Sequence, residues 1–314
     1  PIVMKTNISL ILILCLLLGA CKNGNASSQS KSETPQDTIK AIKMPAIPQM
    51  MTAPEQRADF LAKHYWDNVN FADTNYIHHP EVTEQAWADY CDLLNHVPLE
   101  TAQQAMRNVI DRTNVDKKVF TYITDLADKY LYDPNSPMRN EEFYIPVLEA
   151  MIASPVLNET EKIRPQARLK LAQKNRIGTK ALNFTYTLAS GAQGSLYQLK
   201  AEYLLLFINN PGCQACTETI EGLKNAPIIN QLLQEKKLVL LSIYPDEELD
   251  EWKKHLSEFP NEWINGYDKK FTIKEEQVYD LKAIPTLYLL DKDKTVLLKD
   301  ATAPAIEAYL MQHQ

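Results

Sequence analysis

The hydrophobic period of this chain changes once, near Gly178, and that change limits what it can fold into. Before it, apolar residues recur at the three-to-four spacing of an α-helical face; after it, they gather into short β-rich runs separated by turn residues. The two patterns bury different surfaces and call for two cores. A chain of 314 residues has room for both, since one core commonly serves roughly 100–200 residues. With 45% hydrophobic and 23% charged residues the composition is that of a folded protein. The 40 acidic and 33 basic side chains give a net charge of −7, and no stretch concentrates Lys and Arg, which excludes a phosphate-binding surface and with it nucleic acid as a partner.

Five cysteines, at 15, 21, 91, 213 and 216, are too few and too unevenly spaced for a disulfide framework, so each is read alone. Met4-Lys5 opens an N-terminal segment with an apolar run from Ile8 to Leu18. That run of 11 residues suits a signal-peptide core and is short of the ~20 a membrane-spanning helix needs. It ends in Leu18-Gly19-Ala20-Cys21, which resembles the lipobox of bacterial lipoproteins. The resemblance implies cleavage before Cys21 and acylation of its thiol, giving a signal peptide over 1–20 that carries Cys15 away. The competing reading is an ordinary cleaved secretory signal. Either one takes the protein out of the cytoplasm; the first expects a lipid anchor in the bacterial envelope, facing the periplasm or, alternatively, the cell surface. Residues 21–50, rich in Asn, Ser, Gln, Lys, Thr and Pro, read as a flexible linker.

Residues 51–177 read as an all-α domain of five or six helices. Thr52-Ala53-Pro54-Glu55 has the form of a capping box, followed by Ala58, Leu61 and Tyr65 on one face. Further helical stripes hold Ala86, Tyr90, Leu93 and Leu94; Ala102, Met106, Val109 and Ile110; and Val119, Tyr122, Ile123, Leu126 and Tyr130. The Asp133-Pro134-Asn135-Ser136-Pro137 run breaks the pattern before two less regular helical stretches, 140–154 and 160–175. His78 and His79 are adjacent, point apart and precede Pro80 in a loop, a poor geometry for a metal. Cys91 lies beside an apolar stripe and reads as a small buried hydrophobe. No chemistry is legible in this half, and its role stays open.

Residues 178–314 alternate strands and helices: a hairpin at 184–188 and 195–199, a buried strand at 203–209, a helix from about Cys213 to Gln234, and a strand at 238–244. A helix at 248–259, an irregular stretch, a short helix at 274–281, paired strands at 286–290 and 295–299, and a helix at 303–312 follow. Such an order gives a sheet with helices on both faces. Asn209-Asn210-Pro211-Gly212 ends the buried strand and delivers Cys213 to the carboxyl edge of the sheet at a helix start, where active sites of α/β sheets gather. Unpaired backbone N–H groups and the positive helix end favour a thiolate there, making Cys213 the nucleophile. Cys216, one turn on and deeper, is placed to attack a mixed disulfide at Cys213. Pro285 stands at the first residue of a strand, where proline is tolerated and a cis bond costs little.

Strand, Cys-x-x-Cys helix, strand, helix, Ile284-Pro285-Thr286 before a strand, hairpin and helix resemble the thioredoxin superfamily in its TlpA-like and ResA-like envelope branch, over roughly 180–314. The resemblance implies an α/β thioredoxin-like fold, a thiol-disulfide oxidoreductase with no cofactor, a cis-Pro285 packed against the dithiol, and Ile284 presenting its backbone to a substrate strand. Its implied partners are envelope protein disulfides and an unnamed electron donor. This chain departs from the pattern at three positions. Gly212 replaces the aromatic residue before the first cysteine, Phe207 replaces the buried aspartate, and Thr219 replaces a glutamate. Glu218, one residue away, is the remaining candidate proton acceptor for Cys216. Gln214 and Ala215 offer no cation to over-stabilise the thiolate and Glu218 and Glu221 oppose it, which points to a reductase. Structural zinc would need two further ligands, and a structural disulfide closing so short a loop restrains the unfolded chain little. The reading of another class is a non-enzymatic binding lipoprotein whose helical domain captures a partner and whose thioredoxin-like part is a scaffold or redox sensor.

Overall fold

The computed structural model describes residues 41–313; Cys21 and the signal and lipobox expectations lie outside them. Six helices build the first half: α1 (Pro54–His64), α2 (Pro80–Leu94), α3 (Leu99–Arg112), α4 (Lys117–Ala127), α5 (Glu141–Ala153) and α6 (Glu159–Ala172). The predicted stripes face inward, with Tyr90, Leu94, Met106, Ile110, Val119 and Ile123 buried in one core. Cys91 is buried in that core too. Ile42 packs against it ahead of α1, and the Lys43 carbonyl accepts a hydrogen bond from Asn68 at 2.9 Å.

The expected capping box at Thr52 is absent. Pro54 lacks an N–H and takes the first helical position, which leaves Ala53 as a cap with no side chain to offer. The irregular stretches are α5 and α6, each with an internal proline, Pro146 and Pro165, that removes one helix hydrogen bond.

In the second half a seven-stranded sheet runs in the order β2-β1-β5-β4-β3-β6-β7. The strands are β1 (Thr185–Leu188), β2 (Gln193–Ser195), β3 (Tyr203–Ile208), β4 (Leu238–Tyr244), β5 (Ile264–Tyr267), β6 (Thr286–Asp291) and β7 (Val296–Lys299). The central strands β5, β4 and β3 are parallel, and β6, β7 and the β1–β2 hairpin are antiparallel to their neighbours. Alternation along the strands makes two cores. Leu205, Phe207, Leu240 and Leu289 face α7 (Gln214–Lys224), α8 (Pro227–Gln234) and α11 (Ala303–Gln312); Leu204, Leu206, Ile243 and Tyr288 face Phe184, Ile273 and Tyr279.

Five local expectations are corrected. The helix expected over 213–234 is two, because Pro227 cannot donate to the preceding turn and holds Ala226 extended. The hairpin's second strand is β2, and Leu196–Gln198 is a 3₁₀ turn held by a capping box between Ser195 and Gln198. The helix expected at 248–259 shrinks to α9 (Leu249–Lys254), and the one expected at 274–281 is displaced to α10 (Thr272–Glu275). The irregular stretch holds β5, which lacks an apolar run because Gly266 lies under the Tyr186 ring, 2.9 Å from where a Cβ would be.

The segment joining the halves pairs with residues 294–296 at the start of β7: the Gly178 and Ala181 amides donate to the Val296 and Lys294 carbonyls, each at 2.8 Å, and the Val296 amide donates to the Thr179 carbonyl at 2.9 Å.

Candidate redox site

β3 ends at Ile208, and Asn209 anchors its exit by donating from Nδ2 to the Ser242 hydroxyl of β4 at 2.8 Å. The chain then turns through Asn210, Pro211 and Gly212. Gly212 has φ +72°, a left-handed conformation that glycine adopts without a Cβ penalty. That turn sets Cys213 as the N-terminal cap of α7, partly exposed, with its thiol directed at the Ile284 carbonyl across 3.8 Å. Cys216 lies one turn deeper and is only 3% exposed. Its sulfur accepts the Asn210 backbone N–H at 3.5 Å. Both thiols are free. Burial, and next the neighbouring Cys213, push the Cys216 thiol up to about 12, against the pull of the Asn210 N–H.

The opposite wall is the loop before β6. The Ile284–Pro285 bond is cis, Thr286 pairs with Ile208 across the sheet, and the Thr286 hydroxyl donates to the Ala283 carbonyl at 2.6 Å. Cys213, Cys216, Ile284 and Pro285 are thus brought to one sheet edge. Glu218 is not brought to Cys216: it lies on the solvent face of α7 and accepts from Gln214 at 2.9 Å. Phe207, where a carboxylate would lie below the dithiol, is fully buried edge-on to Trp263 in the core. Thr219 turns its hydroxyl back to the Ala215 carbonyl.

Asn210 and Asp246 escaped the sequence reading. Asp246 follows β4 at the same edge; its carboxylate accepts from Asn210 Nδ2 at 3.0 Å and from Lys274 at 2.6 Å. Its place just past a buried parallel strand was the available signal. Among the described residues no three His, Cys, Asp or Glu side chains are grouped as a metal would require.

A dithiol at the start of a helix, facing a cis-proline across the central strands of such a sheet, defines a thioredoxin-like protein. Residues 201–296 match a family model described as thioredoxin-like, and residues 20–175 match a domain of unknown function, DUF5106. A thioredoxin-like protein from Bacteroides caccae ATCC 43185, known from its crystal structure, is 84% identical, covering 88% of this chain and all 100% of that one with a TM-score of 0.86. The C-terminal domain of an uncharacterized protein from Bacteroides fragilis NCTC 9343 is 69% identical over 44% of this chain and 98% of its own, with a TM-score of 0.43. No curated protein matches the chain. The chain belongs to the thioredoxin-like family, with a helical DUF5106 domain ahead of the thioredoxin-like one.

Proposed function

We propose that the protein is a thiol-disulfide oxidoreductase that reduces disulfides outside the cytoplasm. The observation that carries this reading is the placement of Cys213, partly exposed at a helix start with its sulfur beside the Ile284 carbonyl, and Cys216 buried one turn behind. In the forward reaction the Cys213 thiolate attacks one sulfur of a substrate disulfide; the S–S bond breaks and the departing sulfur takes up a proton as a thiol. Cys216 then gives up its proton and attacks Cys213, forming the intramolecular disulfide and releasing the second substrate thiol. Two electrons have passed to the substrate, and a dithiol donor returns them.

Two features support the reducing direction. Gln214 and Ala215 bring no cation to the pair, and burial holds Cys216 as the thiol until it is called on. Reduction of oxidised insulin with dithiothreitol as donor tests the reading: wild-type turnover should exceed that of Cys213→Ser and Cys216→Ser by about a hundredfold or more. Equal rates in all three chains would remove it. We further propose that Cys21 is acylated and holds the protein on an envelope membrane, on the strength of Leu18-Gly19-Ala20-Cys21. Cells fed radioactive palmitate should label the wild type and not Cys21→Ser; label in both would refute the anchor.

A further inference from the structure

A buried group of five charges between the two domains has no part in thiol exchange as described. Lys282 is its hub. The ammonium lies 3.1 Å from Glu141, 3.0 Å from Asp280 and 3.0 Å from Asp300, and its side chain is 8% exposed. The second oxygen of Glu141 accepts from Lys299, which also donates to the Lys174 carbonyl at 2.7 Å. Two cations thus meet three carboxylates out of water. Ion groups of this kind contribute little net stability, because desolvation offsets attraction; what they do set is geometry.

That geometry reaches the redox site. Glu141 is the first residue of α5, where the positive helix end also favours a carboxylate. Lys282 belongs to the loop that runs into Ile284, whose carbonyl meets the Cys213 thiol, and cis-Pro285. The Lys282 amide is itself held by Asp280 at 3.0 Å. The Tyr132 ring of the helical domain lies 5.5 Å from the same ammonium. One face of the substrate-side loop is therefore clamped by the helical domain.

We propose that Glu141 is a positioning residue for polypeptide substrates: by holding Lys282 it fixes the backbone of residues 282–284, along which an extended partner chain lies while its disulfide meets Cys213. This rests on the thiol-exchange reading above. It makes the helical domain a determinant of protein-disulfide recognition, while a small disulfide that needs only the Cys213 sulfur is indifferent to it.

The test uses the full chain with Glu141→Gln, which leaves two cations against two carboxylates and so buries no excess charge. The expected result is a KM for oxidised insulin raised about tenfold, kcat within about twofold, and an unchanged rate with the small aromatic disulfide dithionitrobenzoate. Amide exchange over residues 280–286 should quicken about fivefold with that over 214–220 unchanged. Arg176→Met removes an ion pair inside the helical domain, from Arg176 to Glu142 beside Glu141 at 3.0 Å, and should lower Tm without moving KM. An unaltered KM in folded Glu141→Gln, whatever the exchange, overturns the proposal, as does an equal KM rise in Arg176→Met. If the wild type itself fails to reduce insulin, the oxidoreductase reading falls, and the exchange rates alone decide whether Glu141 holds the loop. Should Glu141→Gln not fold, Lys282→Met combined with Asp300→Asn cuts the same tie from the other side, keeps the wild-type balance of one excess carboxylate, and carries the same expected results.

Discussion

Burial decides how the three described cysteines differ. Burial pushes the Cys216 thiol up to about 12, so at pH 8 it keeps its proton and offers little of the thiolate that alkylating reagents need. Iodoacetamide on the folded, reduced chain at pH 8 should therefore modify Cys213 and spare Cys216 and Cys91, read by peptide mass spectrometry; equal labelling of Cys216 and Cys213 would refute this. Burial pushes Cys91 up to about 12 as well. A folded-state value raised above the unfolded one means that the folded chain keeps its proton between about pH 9 and 12 while the unfolded chain has lost it. Stability tied to Cys91 is thus complete below pH 9 and is lost as pH climbs, by at most ~1.4 kcal/mol per pH unit. Cys91→Ala should flatten the alkaline fall in unfolding free energy, and a curve of unchanged slope would show the thiol does not titrate there.

Among the elements, legibility followed how strongly one signal dominated. β3 and β4 stand close to where their apolar runs place them, because a strand buried on both faces has nothing to compete with its sequence. β5 was missed because its glycine serves the Tyr186 ring instead of an apolar pattern. The α6 start was read one residue late, at Thr160, since the signal is local polar chemistry. Asn158 accepts the Glu161 amide at 3.0 Å while Glu161 accepts the Asn158 amide at 2.8 Å. Asn158→Ala should lower unfolding free energy by about 1 kcal/mol in urea titration, with α6 the element that frays. At the redox site, the cysteines and Pro285 were legible because turn, helix start and strand start each mark them in sequence. Asn210 and Asp246 were not, because a polar residue after a strand looks alike whether it meets water or a sulfur-bearing loop.

At the scale of the whole molecule, the two periods marked two domains but concealed how they join. Glu141, Lys282 and Lys299 are charged residues that composition assigns to the surface, and only the fold shows them buried against one another. Asn175 adds an uncharged tie, donating to the Val278 carbonyl at 2.7 Å and accepting the Leu182 amide at 2.7 Å. The strip of backbone at 178–181 that pairs with β7 has a protective effect beyond joining the halves. A sheet rim with idle amides and carbonyls is a template for another molecule, and here the connecting strip occupies the 294–296 end of that template from within. A fragment beginning at residue 185 would bare residues 294–296 at the start of β7 and should self-associate in sedimentation at micromolar concentration, whereas one beginning at residue 176 should remain monomeric. The tether between the domains thereby doubles as a guard against fibre-like stacking.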